Sequence, residues 1–175
     1  CGYLAFTEVR IGVDPAISKS DVADYTAIVP GLIYETNEGY MLYILPKIIN
    51  KRLNFPETIE TCKTMFNSYK KDYYHTKFVI EDVAYQKALP QQLEVEGSYD
   101  VMTTNPGGQD KRSRLVLTAN LIKTGQILFP KEGAEELIQQ IVHFGVEKHD
   151  DLVDAFVNVV NSLIVKPPNP PRIFF

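Results

Sequence analysis

The chain has 175 residues, 45% apolar and 23% charged, the balance of one globular domain with a sizeable core. Its net charge of −4 gives no electrostatic footprint of nucleic-acid binding, although an acidic metal site would itself add negative charge. Two cysteines, Cys1 and Cys62, exclude a disulfide framework and make a reducing, intracellular compartment the expectation, and no apolar run reaches the roughly 18 residues of a membrane span.

Residues 1–8 lack the basic start and apolar stretch of a signal peptide and read as a linker or a remnant of a longer chain. Residues 10–14 alternate around Ile11 and Val13 and predict a short strand ending on Asp14, stopped by Pro15. A polar loop with Lys19 and Asp24 leads to a second strand at 25–34, rich in β-branched and aromatic residues. The turn signal Asn37-Glu38-Gly39 then introduces a third at 40–45, which predicts an antiparallel meander. Asn54-Phe55-Pro56-Glu57 is a helix start, and Ile59, Cys62, Met65, Phe66 and Tyr69 form its core-facing stripe.

Phe78-Val79-Ile80 is a short buried strand running into Glu81-Asp82. A helix at 86–96 ended by Gly97, a strand at 99–103, a Pro106-Gly107-Gly108 loop and a helix at 110–124 ended by Gly125 follow. Residues 127–129 are short and extended, and 133–144 form a helix. The last helix runs to about Val165, and the Pro-rich 166–175 must be an extended tail. The predicted order is β-β-β-α-β-α-β-α with further helices. This is an α/β fold with a mixed central sheet of five or more strands, covered on both faces.

Three carboxylates open the last helix: Asp150, Asp151 and Asp154. Asp151 and Asp154 are three apart and share one helix face, where like charges repel unless a cation sits between them. Asp14 ends the first strand and Glu81 the fourth, and sites in open α/β sheets form at the carboxyl ends of strands. Strand alternation lets only one of Glu81 and Asp82 face the site, and Glu81 is preferred. These oxygen donors suit Mg²⁺ or Mn²⁺, and two such ions about 3.5–4 Å apart can hydrolyse a phosphodiester. Each residue also has a plainer reading, as a helix-start carboxylate, a turn aspartate or a solvated loop. Their joint placement is what argues for a site.

Lys111, Arg112 and Arg114 follow the Gly-Gly loop at a helix start and are candidates to hold DNA phosphates, or else a solvated helix face. His149 is a candidate for proton transfer or product release, or else a capping histidine or a support for a metal ligand. His75 and His143 read as structural. Tyr73, Tyr74 and Tyr85 are candidates for base stacking, with packing as the alternative.

Ile11-Gly12-Val13-Asp14-Pro15-Ala16, followed by Asp24-Tyr25-Thr26-Ala27, resembles the first motif of the phage terminase large-subunit nuclease domain. Val79-Ile80-Glu81-Asp82 with Ala88-Leu89 resembles its second motif. Asp110-Lys111 with Arg114, and Gly125-Gln126-Ile127-Leu128-Phe129-Pro130, resemble later segments, and His149-Asp150-Asp151-Leu152-Val153-Asp154-Ala155 resembles the closing motif. The resemblance spans roughly residues 9–165. It implies a ribonuclease H-like fold and a Mg²⁺- or Mn²⁺-dependent, two-ion DNA endonuclease that cuts concatemeric viral DNA during genome packaging. Asp14, Glu81 and Asp151 would be metal carboxylates, and Asp154 a fourth ligand or its support; the motif leaves open which of Asp150, Asp151 and Asp154 binds directly. The family pairs this domain with an ATPase motor, but the sequence contains no Gly-x-x-x-x-Gly-Lys-Ser/Thr phosphate loop and reads as the nuclease part alone. Implied partners are double-stranded DNA, the terminase ATPase domain, the small terminase subunit and the portal protein, in the host cell cytoplasm and not in the virion. The alternatives are a junction-resolving or RNA/DNA-hybrid nuclease on the same fold, or a non-enzymatic docking module with an acidic face.

Overall fold

The structure is a computed structural model that describes residues 7–15, 25–83, 87–105, 111–144 and 150–165. In chain order the elements are β1 (Thr7–Asp14), β2 (Tyr25–Thr36), β3 (Gly39–Ile44), β4 (Ile49–Arg52), α1 (Phe55–Lys70), β5 (His75–Glu81), α2 (Ala88–Glu96), β6 (Val101–Thr104), α3 (Lys111–Lys123), β7 (Ile127–Leu128), α4 (Glu135–Val142) and α5 (Asp151–Val165). The strands form one mixed sheet in the order β6-β5-β1-β2-β3-β7, with β4 on the first half of β2.

The expected meander of β1, β2 and β3 is present, and β5 and β6 extend it in parallel beyond β1. β4 was not anticipated. Three of its four residues, Ile-Asn-Lys-Arg, are polar and it shows no alternation, because it is a short segment with Ile49 alone packed against a core among the described residues. β2 is long enough to serve both β3 and β4, pairing Gly31–Thr36 with one and Tyr25–Ile28 with the other. β1 reaches back to Thr7, into the segment read as linker. Glu8 there is buried and paired with Arg10 and with Lys77 Nζ (3.3 Å).

Helix ends follow local chemistry. Asn54 caps α1 in a full capping box: its Oδ1 accepts from Glu57 N (2.9 Å) and Glu57 Oε2 accepts from Asn54 N (2.8 Å). Gly125 closes α3 at φ 75°, a left-handed position that favours glycine. Gly97, by contrast, ends α2 in an extended conformation open to any residue.

Successive residues of β1 divide between two layers. Val9, Ile11 and Val13 face α1 and α2, joining Phe78, Ile80, Phe66 and Leu89 in one apolar core. The alternate residues face α5. That helix is mostly buried from Leu152 to Val160, with only Asp154 and Asn158 polar in that stretch, because it lies between the sheet and the α3/α4 layer.

Candidate metal centre

The parallel register of β1 and β5 pairs Gly12 with Val79 and Val13 with Ile80. The next residues are Asp14 and Glu81, so the two carboxylates end neighbouring strands with Cα atoms about 5 Å apart. Both lie at positions alternating with the α1-facing residues, hence on the α5 face.

α5 runs back along β1. Arg10 Nη1 donates to Ser162 Oγ (3.0 Å), and Gly12 lies beneath Ala155 and Val159. One turn before Ala155 the helix therefore reaches the Asp14 end of β1, and that turn carries Asp151 and Asp154. Gly12 permits this approach. A Cβ there would stand 2.2 Å from Ala155 O and 2.6 Å from Val159 Cγ2, so any side chain would push α5 off the strand. Two of the bonds at the start of α5 fix its first turn. Leu152 N donates to Oε1 of buried Gln140 (3.1 Å), and Asp154 N donates to Asp150 O (3.0 Å). Asp150 thus closes the first turn through its backbone, while Asp151 and Asp154 project from that turn.

Glu81 already has a cation. Arg114 Nη1 on α3 donates to Glu81 Oε1 at 3.1 Å, with the side chains only 14% and 20% exposed. Arg114 is therefore not the solvated helix-face residue of the plainer reading. Arg112 is exposed, and Lys111 begins α3. Asp82 is half-exposed, with Lys87 Nζ 3.8 Å from it, and its N–H donates to Thr104 O (2.7 Å). Thr104 pairs with Glu81 across the β5–β6 register. A cavity of about 120 Å³ adjoins Glu81, Asp82 and Thr103. A larger one of about 440 Å³ lies between the β3–β4 connection and α1, on the opposite face of the sheet. His149, Lys19, Asp24, Tyr85 and Asp110 lie outside the described residues.

Among the described residues no three of His, Cys, Asp and Glu stand close enough together to hold a metal ion. The fold brings the strand-end carboxylates and the α5 aspartates to one end of one face without closing them into a cage. The donor set still fits a hard divalent cation: oxygen ligands only, with a guanidinium standing in on Glu81. Tyr73 and Tyr74 do not belong to this end, since β5 starts just after them at His75 and finishes at Glu81. Tyr74 is exposed beside Lys70 and His75, and His143 bonds its own helix through Gln139 O.

Sequence reasoning missed Thr104, Gln140, the Arg114–Glu81 pair and the cradle at Gly12. The polar alternation Glu8, Arg10, Gly12, Asp14 was a readable signal that one side of β1 does not pack like the other.

The sequence profile described as "Terminase RNaseH-like domain" matches residues 11–163. The chain belongs to that family. Its ribonuclease H-like fold is that of terminase nuclease domains. It resembles the human cytomegalovirus terminase nuclease domain (TM-score 0.64, 16% identity, covering 89% of this chain and 82% of that one). It also resembles the large terminase nuclease from thermophilic phage G20c, solved with bound zinc (0.61, 16%, 89% and 81%) and with bound magnesium (0.59, 15%, 89% and 81%). The fowlpox virus Holliday junction resolvase is more distant (0.50, 13%, 90% and 98%). Comparison with curated protein sequences found no match. No helix among the described residues is long and apolar enough to cross a membrane.

Proposed function

We propose that this terminase-family domain is a Mg²⁺- or Mn²⁺-dependent endonuclease that cuts concatemeric viral DNA during genome packaging, using two ions. The observation that carries the reading is the juxtaposition of Asp14 and Glu81 on adjacent parallel strand ends, on the face where α5 begins at Asp151. The phage G20c nuclease, similar in fold, was solved with magnesium and with zinc bound. That supports a divalent ion at the same kind of centre.

Asp14, Glu81 and Asp151 would hold the ions, with Asp154 as a fourth ligand or a support for one. When bound, such ions supply a nucleophile at neutral pH and stabilise the leaving oxygen. The protein's own part is placement. β1 and β5 fix two carboxylates at one level, and Gly12 and Gln140 set the α5 aspartates against them. Lys111, Arg112 and Arg114 at the start of α3 supply cationic charge for the DNA backbone. His149 is an auxiliary for proton transfer, and Asp82 and Asp150 are outer carboxylates. The nuclease domain would run from Thr7, where β1 begins, to about residue 165, with a linker before it and an extended tail at 166–175. Its partners would be double-stranded DNA, the terminase ATPase domain, the small subunit and the portal protein, in the host cytoplasm.

The test is plasmid nicking with Mg²⁺ and with Mn²⁺, beside Asp14→Asn and Asp151→Asn. Metal-dependent cutting by the wild type and its loss in both variants is expected; undiminished cutting by either variant contradicts the assignment. The likeness to a junction resolvase gives the second reading. Rates on a four-way junction, an RNA/DNA hybrid and linear duplex separate the two, and faster cutting of linear duplex is expected.

A further inference from the structure

We propose that Arg114 is the resident cation of the metal-free centre: it neutralises Glu81 until a divalent ion takes that carboxylate, and then turns its guanidinium to the DNA phosphate beside it. This rests on the reading of Asp14, Glu81 and Asp151 as metal ligands and adds a control on when they load.

Three observations converge. Arg114 crosses from α3 to reach the carboxylate at the end of β5, in a partly buried ion pair of 3.1 Å. It uses one terminal nitrogen, although a guanidinium normally grips a carboxylate with two parallel donors. The hold is single and therefore separable. Further, buried polar side-chain atoms almost always have a partner. Among the described residues three do not: Asn50 Oδ1, Thr104 Oγ1 and Arg114 Nε. Two of these three belong to the residues bonded to or paired with Glu81. Their orphaned state marks places at Glu81 for an oxygen-bearing group, as a phosphate or its hydration would supply. Lastly, the nearby cations are otherwise disposed: Arg112 is exposed and Lys87 stands against Asp82.

The consequence is coupling. A positive charge on Glu81 opposes a divalent ion at the same oxygen. A DNA phosphate that draws Arg114 away favours metal loading, and by reciprocity metal loading favours DNA binding. The centre would then load fully only with DNA in place, restraining cleavage by the unengaged domain. Thr104 would meet the incoming phosphate or its water from β6.

Free Mn²⁺ measured by electron paramagnetic resonance, without DNA, gives the affinity of the wild type, Arg114→Gln and Arg114→Lys. Arg114→Gln should bind Mn²⁺ about tenfold tighter, the scale on which a neighbouring charge moves an ionic equilibrium. Arg114→Lys, which keeps the charge, should stay near the wild type while binding duplex DNA more weakly in Ca²⁺. A residue that merely held Glu81 in position would weaken metal binding when removed, and equal or weaker Mn²⁺ binding by Arg114→Gln overturns the proposal. A wild type that binds no Mn²⁺ at all overturns the metal-centre reading as well, a distinguishable result. Should Arg114→Gln not fold, the wild type decides: with ¹⁵N-labelled arginine, Mg²⁺ should shift the Arg114 Nε–H resonance, and a resonance unmoved at saturating Mg²⁺ overturns the proposal.

Discussion

The two faces of the central sheet are built from the same strands, one residue out of step. On the α1 face, Val9, Ile11, Val13, Ile28, Phe78 and Ile80 pack against Ile59, Met65 and Phe66, with the rings of Phe66, Phe78 and Tyr99 in contact. On the α5 face, the intervening positions of β1 hold Glu8, Arg10, Gly12 and Asp14. There an ion network ties Arg10 to Glu8 and Ser162, with Lys77 on Glu8. One face buries apolar area and gives stability. The other gives up packing at Gly12 and Asp14 so that a helix can bring two aspartates to the strand ends. The period-two geometry of a strand lets the two tasks share a backbone without sharing side chains.

This division can be broken from either side. The largest effect should come from Asp14→Asn, which should lower cleavage by about a thousandfold or more, the scale of several kcal/mol of lost metal-dependent stabilisation. Its melting temperature should stay near the wild type, since asparagine keeps the size and shape of the side chain at this half-buried strand end. Plasmid nicking and a thermal melt measured together test both halves. Phe66→Ala acts on the opposite face. It should cost about 4 kcal/mol of stability through the cavity it leaves, while the cleavage rate per folded molecule stays near the wild type at a temperature where both are folded. Gly12→Ala should affect both tasks. It should cost about 3 kcal/mol from overpacking against Ala155 and Val159, and cleavage should fall as α5 is displaced from Asp14. If Gly12→Ala lost stability but kept full activity, the two faces would be less tightly joined through α5 than described.

The smallest expected effect is a pH dependence on the α1 face. Burial pushes the Cys62 thiol up from 9.0 to about 12. The folded chain keeps that proton after the unfolded chain has lost it, so the stability is fully present below pH 9 and falls as pH rises towards 12. The slope should be at most about 1.4 kcal/mol per pH unit. Denaturant melts of the wild type and Cys62→Val between pH 8 and pH 11 should diverge only above about pH 9.

Much of this architecture was legible before the fold. The stripe of α1, the Asn54 cap, the strand ending on Asp14 and the aspartates of α5 each follow from local spacing, and local spacing is what a sequence displays. What escaped depended on distant pieces meeting. β4 has no pattern of its own and exists because β2 is long enough to pair with it. Arg114 reads from the sequence as a phosphate-holding or solvated cation because nothing in Lys111-Arg112-Ser113-Arg114 announces a carboxylate on β5. Gly12 read as part of a motif, and its reason, a helix carbonyl over the strand, becomes visible only once α5 is in place.

The central claim is that Asp14, Glu81 and the first turn of α5 form one divalent-metal centre. Crystals of this domain grown or soaked with Mn²⁺ and measured at the manganese absorption edge test it most directly. Anomalous density bounded by Asp14, Glu81 and Asp151 is expected, with the Arg114 guanidinium drawn off Glu81. Saturating Mn²⁺ with no anomalous density at that end of the sheet, or with density only elsewhere, would contradict it.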